Sequence, residues 1–225
     1  MESKIIQLIP VIDIFISNAE VKSPSHGPYW EYQKDWNNYN TECLRRVGLS
    51  ENMTPYLVGS SFYEINKINQ SDLLKLILLE IEKQQTEEEK EICDLVCSFE
   101  GGYILKIEGE NILFPQCCSN LADIQEWENL TTSETISFYS GHPSPQISKM
   151  ENSLLFDFEN TETNESFCPP ILHSSVVILI SDLKDAVATA KTELKTFSQK
   201  LELVNDENNL NIKNIAKILI YGENN

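Results

Sequence analysis

Apolar positions fall along this chain in two kinds of block: some alternate with polar residues, and others recur at steps of three and four. Residues 5–16 are nearly continuous in apolar side chains and predict a buried opening strand, with Pro10 at its edge or end. After a turn cluster at 23–28, Tyr29, Tyr32, Trp36, Tyr39, Cys43 and Val47 share one face and predict a helix. Pro28 suits its first turn, Arg45 and Arg46 complement the dipole of its last, and Gly48 stops it. Residues 60–65 alternate as a strand. Ser71 is placed to cap a helix over 72–85 whose face is Leu73, Leu76, Ile77 and Ile81. Thr86 with Glu89 matches a capping box and predicts a further short helix.

The second half continues the mixture. Residues 101–115 read as a hairpin turning at Gly109, and Ser119 or Asn120 caps a helix to about residue 130. A strand is expected at 135–139, and a second hairpin pairs 146–149 with 154–158. The polar stretch 160–170 is a long loop. A buried strand over 172–180 leads into a long helix over 182–204, and a last helix over 212–221 ends at Gly222. Interspersed strands and helices with two hairpins define an α+β class, with a mainly antiparallel sheet packed by about five helices. No linker divides residues 1–225, so a single domain is expected.

Charge changes the picture. The chain carries 35 acidic and 17 basic residues, a formal net charge of −18. Between Thr86 and Pro170, 17 acidic residues stand against Lys90, Lys106 and Lys149. Such a field repels nucleic acid and anionic lipid and attracts a basic protein surface. The apolar run at 5–16 is too short to span a bilayer, Glu2 stands where a signal peptide carries net positive charge and no small-residue cleavage site follows, so no signal peptide and no membrane partner are expected. Six cysteines without an export signal read as reduced cytoplasmic thiols.

The candidate chemistry is sparse. Cys93 and Cys97 have a zinc-compatible spacing, but Cys117 and Cys118 are adjacent, and neighbouring side chains are expected to diverge. Cys117 or Cys118 with His142 is the available thiol–imidazole pairing, and the loop at 141–145 is of the kind that carries sites. No phosphate loop or calcium loop is complete. No catalytic residue, metal set or cofactor is therefore assigned.

Three blocks, Gly27-Pro28-Tyr29-Trp30-Glu31-Tyr32, Pro115-Gln116-Cys117-Cys118 and Gly141-His142-Pro143, together resemble an uncharacterised family of bacterial cytosolic proteins. That resemblance implies no activity and supplies no catalytic residues. In acidity and mixed architecture the chain is also similar in style to the SMI1/KNR4-like superfamily of immunity proteins. The expectation is an acidic cytoplasmic protein-binding module, most concretely an immunity protein that inhibits a basic toxin. Its expected surface is Glu87, Glu88, Glu89, Glu91, Glu108 and Glu110, with Trp30 and Trp127 as aromatic anchors. The alternative is a thiol- or zinc-dependent enzyme or metal-binding protein using Cys117, Cys118 and His142.

Overall fold

The computed structural model describes residues 3–88, 97–161, 163 and 165–223, with the side chains of 84–88 outside that description. Among the described residues the fold is α+β, with five helices and two antiparallel sheets of four and three strands. In chain order the elements are β1 (Ile6–Asp13), α1 (Gln33–Arg46), β2 (Phe62–Glu64), α2 (Gln70–Glu88), β3 (Gly101–Ile107) and β4 (Glu110–Leu113). There follow α3 (Ile124–Thr132), β5 (Gln146–Met150), β6 (Ser153–Asp157), β7 (Ser175–Leu179), α4 (Ile180–Glu207) and α5 (Ile215–Tyr221). The sheets run β2-β1-β3-β4 and β5-β6-β7.

The chain divides into two compact units, each assembled from two stretches: Met1–Val11 with Glu100–Leu194, and Ile12–Phe99 with Lys195–Asn225. The division falls inside β1 and inside α4. No linker marks it, which is why composition alone shows no boundary.

In the first unit, the β3–β4 hairpin turns through Glu108 and Gly109, both at positive φ (50° and 87°). Its tip grips the start of β1: Ile5 N donates to Glu108 Oε1 at 2.5 Å, and Glu108 N donates to Ile5 O at 2.9 Å. The meander β5–β6–β7 pairs Met150 with Ser153 at its first turn and Asp157 with Ser175 at its far end. Asp182 accepts from Lys4 N at 2.8 Å and from Ser3 Oγ at 3.0 Å, bonds that hold its carboxyl below the usual range. No strand forms at 135–139. The alternation there serves packing instead. Phe138 sets its ring edge-on to Trp127 at 4.8 Å and against Phe156 at 6.2 Å, so the apolar period is satisfied without a ladder. Trp127 also stacks on Phe156 at 6.1 Å, and both are fully buried.

In the second unit, α1 starts later than its aromatic stripe. Pro28 O accepts from Glu31 N and Tyr32 N at 3.2 and 3.1 Å, so Tyr29 and Tyr32 lie in a turn before the helix. The face α1 buries is Tyr39, Asn40, Cys43 and Leu44. Asn40 is satisfied there by the carbonyl of Gly59 at 3.0 Å. Asn69, not Ser71, caps α2: its Oδ1 accepts from Asp72 N at 2.9 Å. The helix then runs through Thr86, so no new helix begins there, and the expected partner Glu89 lies outside the described residues. Leu73, Ile77, Phe197, Leu201 and Ile215 are core residues of this unit. Asn205 clasps the backbone of Ile212 with both ends of its amide, at 3.1 and 3.2 Å. Gly222, at φ 66°, closes α5 as its position suggests.

Pro10 sits within β1, an inner strand, rather than at an end. The neighbour β2 is only three residues long and meets the end of β1, where Ile14 N donates to Ser61 O at 2.8 Å. A partner so short pairs with only part of β1 on that side.

Candidate functional site

The most elaborately built surface feature lies in the first unit, where β4 runs into the loop Pro115–Asn120. Gln116 is buried and acts as its bracket. Its Nε2 donates to Phe114 O at 2.8 Å and Cys168 O at 3.2 Å, and its Oε1 accepts from Cys168 N at 2.9 Å. Ser119 turns the loop back: Gln116 N donates to Ser119 Oγ at 3.0 Å, and Ser119 Oγ donates to Ser140 O. Gly101 N donates to Ser119 O at 3.1 Å, and His142 N donates to Cys117 O at 2.9 Å. Four separate stretches of chain thus meet around two cysteines. Gly141, at φ 96°, permits the closest approach: a Cβ there would lie 2.5 Å from Ser119 Oγ and 2.6 Å from Cys117 O.

Cys117 and Cys118 are both exposed, and their sulfurs are 3.5 Å apart. Adjacent side chains do not diverge here, because Cys118 takes the left-handed conformation, with φ 70°. His142 is exposed beside them, its ring edge-on to Tyr139 at 5.1 Å, and Tyr139 is 42% exposed. The surroundings are negative. The Cys118 sulfur, first of all, and then burial and the charges of Glu165 and Glu100 push the Cys117 thiol up. Burial and the negative field of Cys118, Asp123, Cys117 and Glu165 push the Tyr139 phenol up as well. Asn120 caps the 3₁₀ turn that leads into α3, its Oδ1 accepting from Ala122 N at 2.9 Å, and Asp123 completes the capping box by accepting from Asn120 N at 3.0 Å. Burial outweighs that bond and, with Glu126 nearby, raises its carboxyl to about 7.

This electrostatic pattern bears on the chemistry. A cysteine activated for rapid attack at neutral pH carries a depressed thiol pKa, supplied by nearby positive charge. Cys117 has the reverse. Among the described residues, no group of three or more His, Cys, Asp and Glu side chains is placed to hold a metal ion. Cys93, the partner considered for Cys97, lies outside them.

The expected binding surface is redistributed. Trp127 is 1% exposed and belongs to the core, so its indole is not offered to a partner. The clue was present in the helical spacing that sets it on one face with Leu130 and Ile124. Trp30 is half-buried in the second unit, its ring edge-on to Tyr29 at 5.2 Å. Glu108 and Glu110 share one exposed hairpin end, where Glu108 holds Ile5 and Glu110 meets His173 Nε2 at 3.0 Å. Glu87 and Glu88 end α2 with side chains outside the description, and Glu89 and Glu91 lie outside the described residues. The sequence pattern named Ser119 only as a helix cap and Gln116 only within the block 115–118, and it did not single out Tyr139, Asp123 or Glu165.

No protein-family model matches the chain, and neither a curated protein nor a solved structure matches it significantly. Among the described residues no helix is long and apolar enough to cross a membrane.

Proposed function

We propose that this protein is a binding module for a basic protein surface, most concretely a cytoplasmic immunity protein that neutralises a basic toxin domain. The observation that carries the reading is that exposed Glu100, bridged to Asn120, and exposed Glu165, three residues before the Cys168 that Gln116 brackets, flank the loop of Cys117 and Cys118, with half-buried Asp123 beside Asn120 and their charge felt at Cys117 and Tyr139. The unit that holds this loop has 16 acidic residues against five basic ones, a net charge of −11. Carboxylates focused on an exposed surface steer a cationic partner, raising association rates by about 10 to 10³ at low salt. Tyr139 is an aromatic anchor of the kind that holds such an encounter once made. The same field repels nucleic acid.

The test is affinity capture from the native host at low and high salt, using the wild type and the variant Glu100→Gln/Glu165→Gln/Tyr139→Ala. A basic protein retained by the wild type, released by salt, lost with the variant and inhibited on rebinding supports the reading. Retention of no cationic protein at low salt overturns it. The second reading, a thiol- or zinc-dependent protein, draws on the 3.5 Å sulfur separation. Stoichiometric zinc in purified protein, lost in Cys118→Ser, would favour it over the first.

A further inference from the structure

We propose that Cys117 and Cys118 form a thiol–disulfide exchange site that closes to a vicinal disulfide and selects small cationic disulfides over anionic ones. The inference goes beyond partner binding and does not depend on it. The two sulfurs already face each other at 3.5 Å, both are exposed, and the left-handed Cys118 holds them on the same side. The loop that presents them is fastened on both flanks by Gln116 and Ser119, so the pair is displayed from a fixed base.

The exchange balances as follows. At alkaline pH one thiol of the pair loses its proton to solvent, and its thiolate attacks a sulfur of a small disulfide, forming a mixed disulfide and releasing one small thiolate, which takes a proton from solvent. The second cysteine loses its proton to solvent and attacks the protein-side sulfur. The Cys117–Cys118 bond forms and the second small thiol leaves. Two protein thiols are oxidised by two electrons, and the small disulfide is reduced to two thiols. Closure must bring the sulfurs from 3.5 Å to about 2.05 Å. Adjacent Cα atoms are about 3.8 Å apart, below the roughly 4.4–6.8 Å span that a relaxed disulfide takes. The closed ring is therefore strained and easily reduced, which makes it a reversible site rather than a staple.

Selectivity comes from the surroundings. Glu100 bridges to Asn120 at the end of the cysteine loop, Asp123 accepts from Asn120 N at 3.0 Å, and exposed Glu165 lies three residues before the Cys168 that Gln116 brackets, so carboxylates border the pair and their field reaches Cys117 and Tyr139. A disulfide carrying ammonium groups is drawn to this loop, and one carrying carboxylates is repelled.

The experiment compares cystamine, oxidised glutathione and the uncharged bis(2-hydroxyethyl) disulfide on the full-length reduced protein. Each rate is divided by that reagent's rate with dithiothreitol, which removes leaving-group chemistry. Residues 107–149 form one tryptic peptide whose only cysteines are Cys117 and Cys118. After alkylation of free thiols, closure appears as that peptide unalkylated and lighter by two hydrogens. We expect closure with all three reagents and a normalised cystamine-to-glutathione ratio of about tenfold or more at low salt. The ratio should collapse at about 1 M salt, where the screening length is about 3 Å, and narrow in Glu165→Gln. Cys118→Ser should stop at a mixed disulfide on Cys117. Persistence of the mixed disulfide in the wild type overturns the closing step. A normalised ratio near one at low salt overturns the selectivity.

Discussion

Replacing Asp123 by asparagine isolates one buried charge. The carbonyl of the new side-chain amide can still accept from the Asn120 backbone N–H, so the cap geometry is kept while the ionisation is removed. In the wild type, burial raises the carboxyl from its ordinary 3.8 to about 7. The sign follows from linkage: between those two values the folded state holds a proton that the unfolded chain has released, so stability falls as pH rises and levels off above the folded value. Between about pH 5 and about pH 7 this is roughly two units, a ceiling of about 2.7 kcal/mol. The group is not wholly enclosed, and discounting by about half for solvent screening leaves about 1.5 kcal/mol. The assay is urea denaturation of wild type and Asp123→Asn at about pH 5 and about pH 8. Other titrating groups cancel in the difference of differences. The wild type should lose about 1.5 kcal/mol more than the variant over that interval. Parallel pH profiles would refute the assignment of a raised carboxyl, whatever the absolute stability of the variant.

Two further outcomes test the packing that supports the site. Gly141→Ala puts a Cβ on Cys117 O and Ser119 Oγ at positive φ, and should cost about 1–3 kcal/mol in denaturant melts; an unchanged midpoint would mean the loop is not so closely held. Trp127→Ala empties the centre of the Trp127–Phe138–Phe156 cluster and should cost about 3–5 kcal/mol. A variant as stable as the wild type would return Trp127 to the surface.

Particular residues show where sequence reading succeeds and where it stops. Gly109 and Gly222 were readable because a turn and a helix end ask for positive φ locally. The 101–115 and 146–158 hairpins were readable because alternation and a nearby turn need no distant partner. The expected strand at 135–139 shows the limit: Phe138 answers to Trp127 and Phe156, outside its own stretch of chain. Ser71 was the expected cap of α2, but the helix starts two residues earlier and Asn69 takes that place.

Taken by itself, the order of residues determined the α+β class, the strong negative charge and the presence of two adjacent thiols, because composition and short-range periodicity are local properties. Only tertiary structure decided that Trp127 is interior, that Cys118 turns its sulfur toward Cys117, and that Glu100 and Asp123 meet Asn120 at the end of the cysteine loop. Those outcomes depend on contacts between residues far apart along the chain, such as Gln116 with Cys168 and Ser119 with Ser140. Charge–charge and packing energies depend on separation in space, and no spacing along the chain encodes that separation.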